Sequence, residues 1–213
     1  MLNRYSRQLD IVDSDKLSLP IHIIGAGGIG SWTALLLAKM GCSDITVYDD
    51  DVVENHNVAS QFFKESDLGK AKTEALFENI QMFAGTNIRI EKQEKELEIQ
   101  TGLVILAVDS AETRIELGET FKDKDIYIID GRMGGLQAEV YFRHASQYLP
   151  TTVAPENADQ EACTAKSIGF NCAFIGSMIA NYVRLFVNEK IEPYSEDEEF
   201  IFLFDGLKML KKK

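Results

Sequence analysis

The sequence predicts an α/β protein with a doubly wound, Rossmann-like and mainly parallel sheet, helices on both faces and antiparallel strands added near the C-terminus. Short apolar runs alternate with segments of helical periodicity from about residue 19 to residue 131, which is the pattern of a parallel sheet. The run 102–108 is almost continuously apolar, as strands covered on both faces are. We expect one domain over residues 1–213, with its doubly wound core at about 19–131.

The spacing of apolar residues places the elements of this core. Strands are predicted at 19–24, 44–48, 87–91, 102–108 and 125–129. Helices are predicted at 30–41, 70–83 and 113–121. Gly41 is expected to end the first helix as its C-cap. The inward face of the second helix is predicted to consist of Ala71, Leu76, Ile80 and Phe83.

The pattern changes after Gly134. Residues 137–143 alternate and predict an antiparallel strand, residues 147–162 are polar and predict a mobile loop, and residues 200–204 predict a last strand. The stretch 168–187 is long and apolar enough to suggest a membrane span. Its polar residues make a span costly, so we favour a buried helix: they are Asn171, Ser177, Asn181 and Arg184.

Composition excludes several classes of function. The chain has 22 basic and 34 acidic residues and a net charge of -12, which argues against a nucleic-acid partner. Its three cysteines cannot build a disulfide framework, and without a CxxC pair no zinc is expected. The first residues lack the apolar core of a signal peptide, so we expect a cytoplasmic protein without a membrane partner.

A glycine-rich loop is the first functional signal. It follows a predicted strand, opens a predicted helix and contains Gly25, Gly27, Gly28 and Gly30. Such a loop lets backbone N–H groups approach a phosphate at the positive end of the helix dipole. Asp49 ends the next strand, where a carboxylate binds ribose hydroxyls. The loop alone leaves open a nicotinamide cofactor, ATP or a merely tight strand–helix junction.

The polar residues that follow favour ATP. Residues 49–61 hold more polar groups than a ribose clamp requires, and Lys70 stands at the start of a predicted helix. A site that splits ATP needs a cation for the phosphates and carboxylates for Mg²⁺. A hydride-transfer site has little use for either.

These motifs, in this order, resemble the ThiF/MoeB/HesA family, the activating enzymes of ubiquitin-like proteins and sulfur carriers. The resemblance runs from residue 4 to about residue 187. The residues that carry it are the run Arg4-Tyr5-Ser6-Arg7-Gln8, the glycine loop, Asp49, Asp51, Val53, Asn57, Gln61, Gly69-Lys70 and Asp109.

The resemblance implies a homodimer that uses ATP and Mg²⁺. It implies that the four loop glycines contact the nucleotide, with Asp49 and Asp51 in the same binding site and Asp49 on the ribose. Asn57 and Gln61 would position the phosphates, and Lys70 would bridge them. Asp109 would ligate Mg²⁺, although an N-cap role before the next helix is compatible with that. Arg7 would reach the partner subunit's phosphates.

The chain departs from the family pattern at the phosphate site. Ser60 stands where the family has an arginine, His56 where it has a serine, and Ser110 where it has an asparagine. Arg114 and Arg132 are candidates for the missing charge, and a structural ion pair explains each equally well. His56 is interpreted as a polar lining residue, with a general base as the alternative.

Cys163 stands in Cys163-Thr164-Ala165-Lys166, which resembles the thioester motif of ubiquitin-activating enzymes without its prolines. A cysteine just before a helix is a candidate thiolate that captures an acyl-adenylate. A small residue buried at a helix start is the equal alternative. Cys42 and Cys172 are interpreted as packing residues.

These observations predict ATP-dependent adenylation of the C-terminal carboxylate of a ubiquitin-like or sulfur-carrier small protein or peptide. Thioester capture on Cys163 is a further step that the motif suggests. The alternatives are an NAD-dependent oxidoreductase and a catalytically weakened adaptor of the same fold.

Overall fold

A computed structural model describes residues 4–91, 97–134, 136–148, 167–190, 199–203 and 208–212. Its strands are β1 (Ile21–Ile24), β2 (Ile45–Tyr48), β3 (Arg89–Glu91), β4 (Thr101–Leu106), β5 (Asp125–Gly134), β6 (Gln137–His144), β7 (Glu199–Leu203) and β8 (Lys208–Lys212). Its α-helices are α1 (Gly28–Met40), α2 (Asn55–Val58), α3 (Lys72–Ala84), α4 (Ala111–Phe121) and α5 (Gly169–Val187).

The strands form one eight-stranded sheet in the order β3-β2-β1-β4-β5-β6-β7-β8. Neighbouring strands are parallel from β3 to β5 and antiparallel from β5 to β8. The chain leaves β1 toward β2 and returns to place β4 on the other side of β1. This reversal creates a crevice between β1 and β4, the place where doubly wound sheets bind ligands.

Helices cover both faces of the sheet, which confirms the predicted fold class. One core packs α1, α3 and α5 against the sheet, and Leu37, Leu76 and Ile179 are among its fully buried side chains. The second core packs α4 against the opposite face through Leu117 and Phe121.

Helix α5 is the one helix of the described residues that is long and apolar enough to cross a membrane by composition. Such a test is also passed by core helices of soluble proteins. In this chain α5 packs on α1 and on β5 and β6, and it buries Cys172, Ile175, Ile179 and Val183 completely. The packing therefore accounts for its apolar composition.

Three details differ from the sequence-based expectation. Helix α3 starts at Lys72 instead of residue 70, because Ala71 is extended (φ -57°, ψ 136°) and Lys70 belongs to the preceding turn. Phe83 is 55% exposed, since it lies in the last turn of α3 and packs on Phe62 instead of on the sheet. Strand β8 was not expected from its lysine-rich sequence. Most of the predicted loop 147–162 lies outside the described residues.

The packing of α3 predicts a contrast between two of its positions. Leu76 is fully buried and Met82 is 68% exposed on the same helix. Leu76→Ala should lower the free energy of unfolding by about 2–5 kcal/mol, because it removes buried apolar atoms and leaves a cavity. Met82→Ala should change it by less than about 0.5 kcal/mol. Urea denaturation of both variants measures this, and similar values for the two would contradict the placement of α3.

Candidate nucleotide site

Three strand ends meet beside the crevice. The glycine loop follows β1, the acidic residues Asp49, Asp50 and Asp51 follow β2, and Asp109 follows β4. Because β1 lies between β2 and β4 and all three run parallel, these segments emerge at the same edge of the sheet. The family resemblance implied one site for the loop, Asp49, Asp51 and Asp109, and the topology brings the segments that carry them to one edge of the sheet.

Two glycines of the loop are required by the close approach of β1, β4 and α1. Gly25 has a φ of +97°, and a Cβ on it would lie 2.6 Å from the carbonyl oxygen of Ala107. A Cβ on Gly30 would overlap the carbonyl oxygen of Gly25. These two positions therefore need glycine for the fold itself, whether or not a ligand binds.

The other two glycines have different surroundings. A Cβ on Gly28 would lie 2.9 Å from the Sγ of Cys172, so the first turn of α5 packs directly beneath the loop. A Cβ on Gly27 would meet no atom nearer than the amide of Gln61, at 4.0 Å. Packing does not explain Gly27, which leaves open space beside the start of α1 for a ligand to approach the backbone.

Asp49 holds the loop in place. Its Oδ2 accepts the backbone N–H of Ala26 at 2.6 Å, and its Oδ1 accepts the N–H of Asp51 at 2.8 Å. The residue is 8% exposed, and this burial raises the pKa of Asp49 above its ordinary value although both N–H groups favour the carboxylate. Each oxygen keeps a second lone pair, so the carboxylate can also accept a hydroxyl.

Lys72 is the cation that the structure brings to the acidic segment. Its Nζ lies 2.6 Å from Asp51 Oδ2, and its side chain is 9% exposed. The backbone of 51–53 pairs with that of 69–72, which fixes the start of α3 beside the end of β2. Lys70 is directed elsewhere: its Nζ lies 2.5 Å from Glu78, and 37% of its side chain is exposed.

Sequence reasoning chose Lys70 and missed Lys72, although a signal for Lys72 was present. Residues 72, 76 and 80 share one face of a helix, and Leu76 and Ile80 of that face were predicted to be buried. A lysine on a buried helical face requires a partner, since an unpaired charge is costly there. Asp51 is that partner.

Asp109 stands exposed just beyond β4, and within the described part of the chain its carboxylate has no hydrogen bond or ion pair. Ser110, and not Asp109, caps α4, because its Oγ accepts the N–H of Thr113 at 3.2 Å. The Asp109 carboxylate is therefore available to a cation. On the neighbouring segment, one carboxylate oxygen from each of Asp49, Asp50 and Asp51 lies within 4.8 Å of the other two.

The segment after Asp51 is held by its own hydrogen bonds. Asn57 is buried, and its Oδ1 accepts the N–H of Glu54 at 2.8 Å. Gln61 lies beside Gly27, and its Oε1 is buried without a hydrogen-bond partner in the structure. His56 is exposed and pairs with Glu54 at 3.4 Å. Gln61 thus faces the loop, whereas Asn57 closes a turn.

The ThiF family model matches residues 5–212, nearly the whole sequence. The chain belongs to the ThiF family. Its relatives include the NEDD8-activating enzyme E1 catalytic subunit of Schizosaccharomyces pombe, 26% identical over 86% of this chain and 45% of the relative. Another is the adenylyltransferase and sulfurtransferase MOCS3 of Arabidopsis thaliana, 26% identical over 96% of this chain and 47% of the relative. The chain spans about half or less of the length of such curated relatives.

Solved structures show the same fold. Escherichia coli MccB with AMPCPP and MccA superposes with a TM-score of 0.76 at 19% identity, covering 99% of this chain and 71% of MccB. PaaA superposes with a TM-score of 0.76 at 20% identity, covering 99% of this chain and 72% of PaaA.

The residues that depart from the ThiF pattern have structural partners. Ser60 is buried, and its carbonyl oxygen accepts the indole N–H of Trp32 at 3.0 Å. Arg114 and Arg132, the two candidates for the missing arginine charge, both pair with Asp130, at 3.0 and 2.7 Å. Ion pairs with Asp130 therefore explain the presence of both arginines without a phosphate-binding role. Cys163 lies outside the described residues.

Arg7 is exposed and lies at the far end of α1 from the glycine loop. The neighbouring Gln8 donates its side-chain N–H to the carbonyl of Met40, and Tyr5 packs on Gly41. Helix α1 has 13 residues, which separates its two ends by about 20 Å. Arg7 therefore cannot reach the glycine loop of its own chain.

The loop geometry predicts different effects at two of its glycines. Gly30→Ala should lower the free energy of unfolding by about 1–3 kcal/mol or more, because its Cβ meets backbone that cannot give way easily. Gly27→Ala should change it by less than about 1 kcal/mol, since open space surrounds the new methyl group. Chemical denaturation of the two variants tests this, and equal destabilisation would mean that Gly27 is also a packing position.

Proposed function

We propose that this chain catalyses the ATP- and Mg²⁺-dependent adenylation of the C-terminal carboxylate of a small ubiquitin-like or sulfur-carrier protein or of a peptide. The main support is the grouping of three features at one edge of a ThiF-family sheet. A glycine loop that is open at Gly27 follows β1, Lys72 pairs with Asp51 beyond β2, and Asp109 stands beyond β4. Relatives named as NEDD8-activating, SAMP-activating and adenylyltransferase enzymes, and MccB solved with ATP, point to the same chemistry.

The reaction would join the partner's carboxylate to the α-phosphorus of ATP. A carboxylate oxygen forms a bond to that phosphorus, the bond between the α-phosphorus and the bridging oxygen breaks, and pyrophosphate leaves with the electron pair. The N–H groups at the start of α1 and the ammonium of Lys72 would stabilise the negative charge on the phosphates. Asp49 would accept a ribose hydroxyl while it holds the loop.

Asp109 would hold Mg²⁺. Its carboxylate is exposed and unpaired within the described residues, and carboxylate oxygens are ligands that Mg²⁺ prefers. When bound, Mg²⁺ supplies charge neutralisation for the phosphates of ATP. Asp109 therefore fits the metal better than Asp51, whose carboxylate is already paired with Lys72.

We propose a homodimer in which Arg7 acts on the partner subunit's nucleotide. The described cations around the site are each paired: Lys72 with Asp51, Lys70 with Glu78, and the two arginines with Asp130. Arg7 is exposed and lies near the end of α1 opposite its own glycine loop, and this helix is about 20 Å long, so we infer that a second chain brings it to a phosphate. An arginine that acts across the dimer interface would supply the positive charge that is missing at position 60, where Ser60 replaces the family arginine.

Two other functions have specific observations behind them. A glycine loop with Asp49 also suits a nicotinamide cofactor, and buried Ser60 suits an adaptor that binds ATP without turnover. Exchange of labelled pyrophosphate into ATP in the presence of a partner supports adenylation. Binding of NADH with no exchange would favour the oxidoreductase, and tight ATP binding with no exchange would favour the adaptor.

Thioester capture on Cys163 stays a prediction. The other two thiols are poor competitors for an acyl-adenylate: burial raises the pKa of Cys42 to about 12 and that of Cys172 to about 11. A covalent adduct that forms with ATP and is released by thiols would therefore indicate a thioester on Cys163. Cys163→Ser should abolish this adduct or make it resistant to thiols, while pyrophosphate exchange continues.

The site predicts a contrast between two nearby lysines. Lys72→Ala should slow pyrophosphate exchange at least ~100-fold. In our proposal it removes the cation that meets the phosphates, the lysine that pairs with Asp51 beside the loop. Lys70→Ala should change the rate less than about threefold, because Lys70 is paired with Glu78 on the surface and such pairs contribute little. Thermal unfolding should show both variants folded. A normal exchange rate in Lys72→Ala, or a larger loss in Lys70→Ala, would restore Lys70 to the site.

The trans role of Arg7 predicts complementation. Arg7→Ala and Lys72→Ala homodimers should each be inactive. A purified heterodimer of the two variants should recover up to about one active site, which combines the intact Lys72 of one chain with the intact Arg7 of the other. Differently tagged chains, co-expressed and purified through both tags, provide the sample. A heterodimer as inactive as both parents would show that Arg7 does not act across the interface.

A further inference from the structure

Arg114 bonds to the backbone on both sides of Asp109 and to a neighbouring strand. The side chain is 11% exposed, and its Nε lies 3.0 Å from Asp130 Oδ1. Its Nη2 donates a short hydrogen bond to the carbonyl oxygen of Val108. Longer contacts of 3.4–3.5 Å reach three further carbonyl oxygens, those of Asp109, Ser110 and Gly131. One guanidinium thus joins the segment after β4 to strand β5.

The partner of Arg114 is itself firmly held. Asp130 is fully buried on β5, level with Leu106 at the end of β4. Its Oδ1 is taken by Arg114, and its Oδ2 accepts from Arg132 at 2.7 Å and from the hydroxyl of Tyr148 at 2.8 Å. A buried carboxylate with this many charged and polar partners resists displacement, because breaking one pair leaves an uncompensated charge. Asp130 therefore gives Arg114 a fixed anchor.

The segment that carries Asp109 has few other supports. The N–H of Ala107 bonds to the carbonyl of Ile24 at 2.9 Å and is the last bond of this segment to β1. Ser110 caps α4, which fixes the residue after Asp109 only to its own helix. Between these two points, and among the residues that the structure describes, Arg114 is the side chain that bonds the carbonyls of 108–110 to the sheet.

We infer that Arg114 is a positioning residue for Asp109: it clamps residues 108–110 onto Asp130 so that the Asp109 carboxylate is held where it ligates the metal. This inference rests on the proposed function, in which Asp109 holds Mg²⁺. A metal ligand has to be held within about 0.5 Å of its productive position by the groups behind it. Loss of such a support commonly costs about 10–100-fold in metal affinity.

The first test compares Arg114→Lys with Tyr148→Phe. Lysine keeps the charge beside Asp130, but as a single point it cannot span the carboxylate and the carbonyls. Tyr148→Phe removes one hydrogen bond from the same Asp130 and no contact with 108–110. We expect Arg114→Lys to weaken binding of Mn²⁺, used as the paramagnetic probe in the ATP complex, about 10–100-fold by EPR titration. Tyr148→Phe should change it less than about threefold, and ATP affinity without metal should be unchanged in both.

A double-mutant cycle separates positioning from an independent effect. Asp109→Ala should weaken Mn²⁺ binding, and adding Arg114→Lys to it should cause no further loss. The inference would be overturned if the loss of Mn²⁺ affinity in the double variant equalled the product of the two single losses. Normal Mn²⁺ binding in Arg114→Lys alone would overturn it too. Normal Mn²⁺ binding in Asp109→Ala would instead overturn the assignment of Asp109 in the proposed function, so the two failures are distinguishable.

A measurement on the metal-free protein completes the test. Amide hydrogen exchange in the peptide that covers 107–112 should be faster in Arg114→Lys than in the unchanged chain, and other peptides should keep their rates. Equal exchange in that peptide would contradict the clamp. Should Arg114→Lys lose its near-UV circular dichroism, the combined variant Arg114→Gln with Asp130→Asn removes both charges of this pair, and the same two readouts apply to it.

Discussion

The carbonyl oxygen of Gly25 occupies the space that the Cβ of any other residue at position 30 would need, and most of the site depends on this contact. It sets the turn by which the chain leaves β1 and enters α1, so it also sets the direction of that helix. Helix α1 packs against α3 on one side and α5 on the other. The close contact between Gly25 and Gly30 therefore also influences two other positions. These are Lys72 at the start of α3 and Cys172 in the first turn of α5.

Charge in this site is balanced locally. The chain carries a net charge of -12, yet each cation described around the crevice stands next to a carboxylate. Such pairs hold the loops in place before any ligand arrives. In our proposal, the groups among the described residues that meet phosphates are the backbone N–H groups at the start of α1 and the ammonium of Lys72. A metal ion and a second chain are the remaining sources of positive charge that our proposal draws on.

Local rules were sufficient for the core of the fold and for the glycine loop. The period of apolar residues places β1 to β5, and the glycine pattern after β1 marks the loop. The need for glycine at position 30 arises within the loop, from the carbonyl of Gly25, whereas the need at position 25 arises from Ala107 in the segment after β4. The choice between Lys70 and Lys72 depended on where α3 begins, and a difference of two residues at a helix start turns a side chain from the surface to the interior. The helical spacing from Leu76 places residue 72 on the buried face of the helix, and this spacing distinguishes Lys72 from Lys70.

Other features depend on contacts between distant parts of the chain. The strand predicted at 125–129 ends before Asp130, and the role of Asp130 appears only when Arg114 and Tyr148 meet it from other elements. The sequence left two roles open for Arg114, a substitute for the missing family arginine or a member of a structural ion pair. Its acid, Asp130, lies on another element, so only the fold brings the two together. Strand β8 pairs antiparallel with β7, a pairing that its lysine-rich sequence did not indicate.

The length of α1 has a consequence for how activity would vary with protein concentration. If Arg7 acts only on a neighbouring chain, a lone chain has a nucleotide loop at one end of this helix and an idle arginine at the other. Dilution below the dissociation constant of the dimer would then make the rate fall with the square of the chain concentration. A newly made, unassembled chain would then bind ATP without using it in the reaction, and adenylation would begin only when two chains assemble.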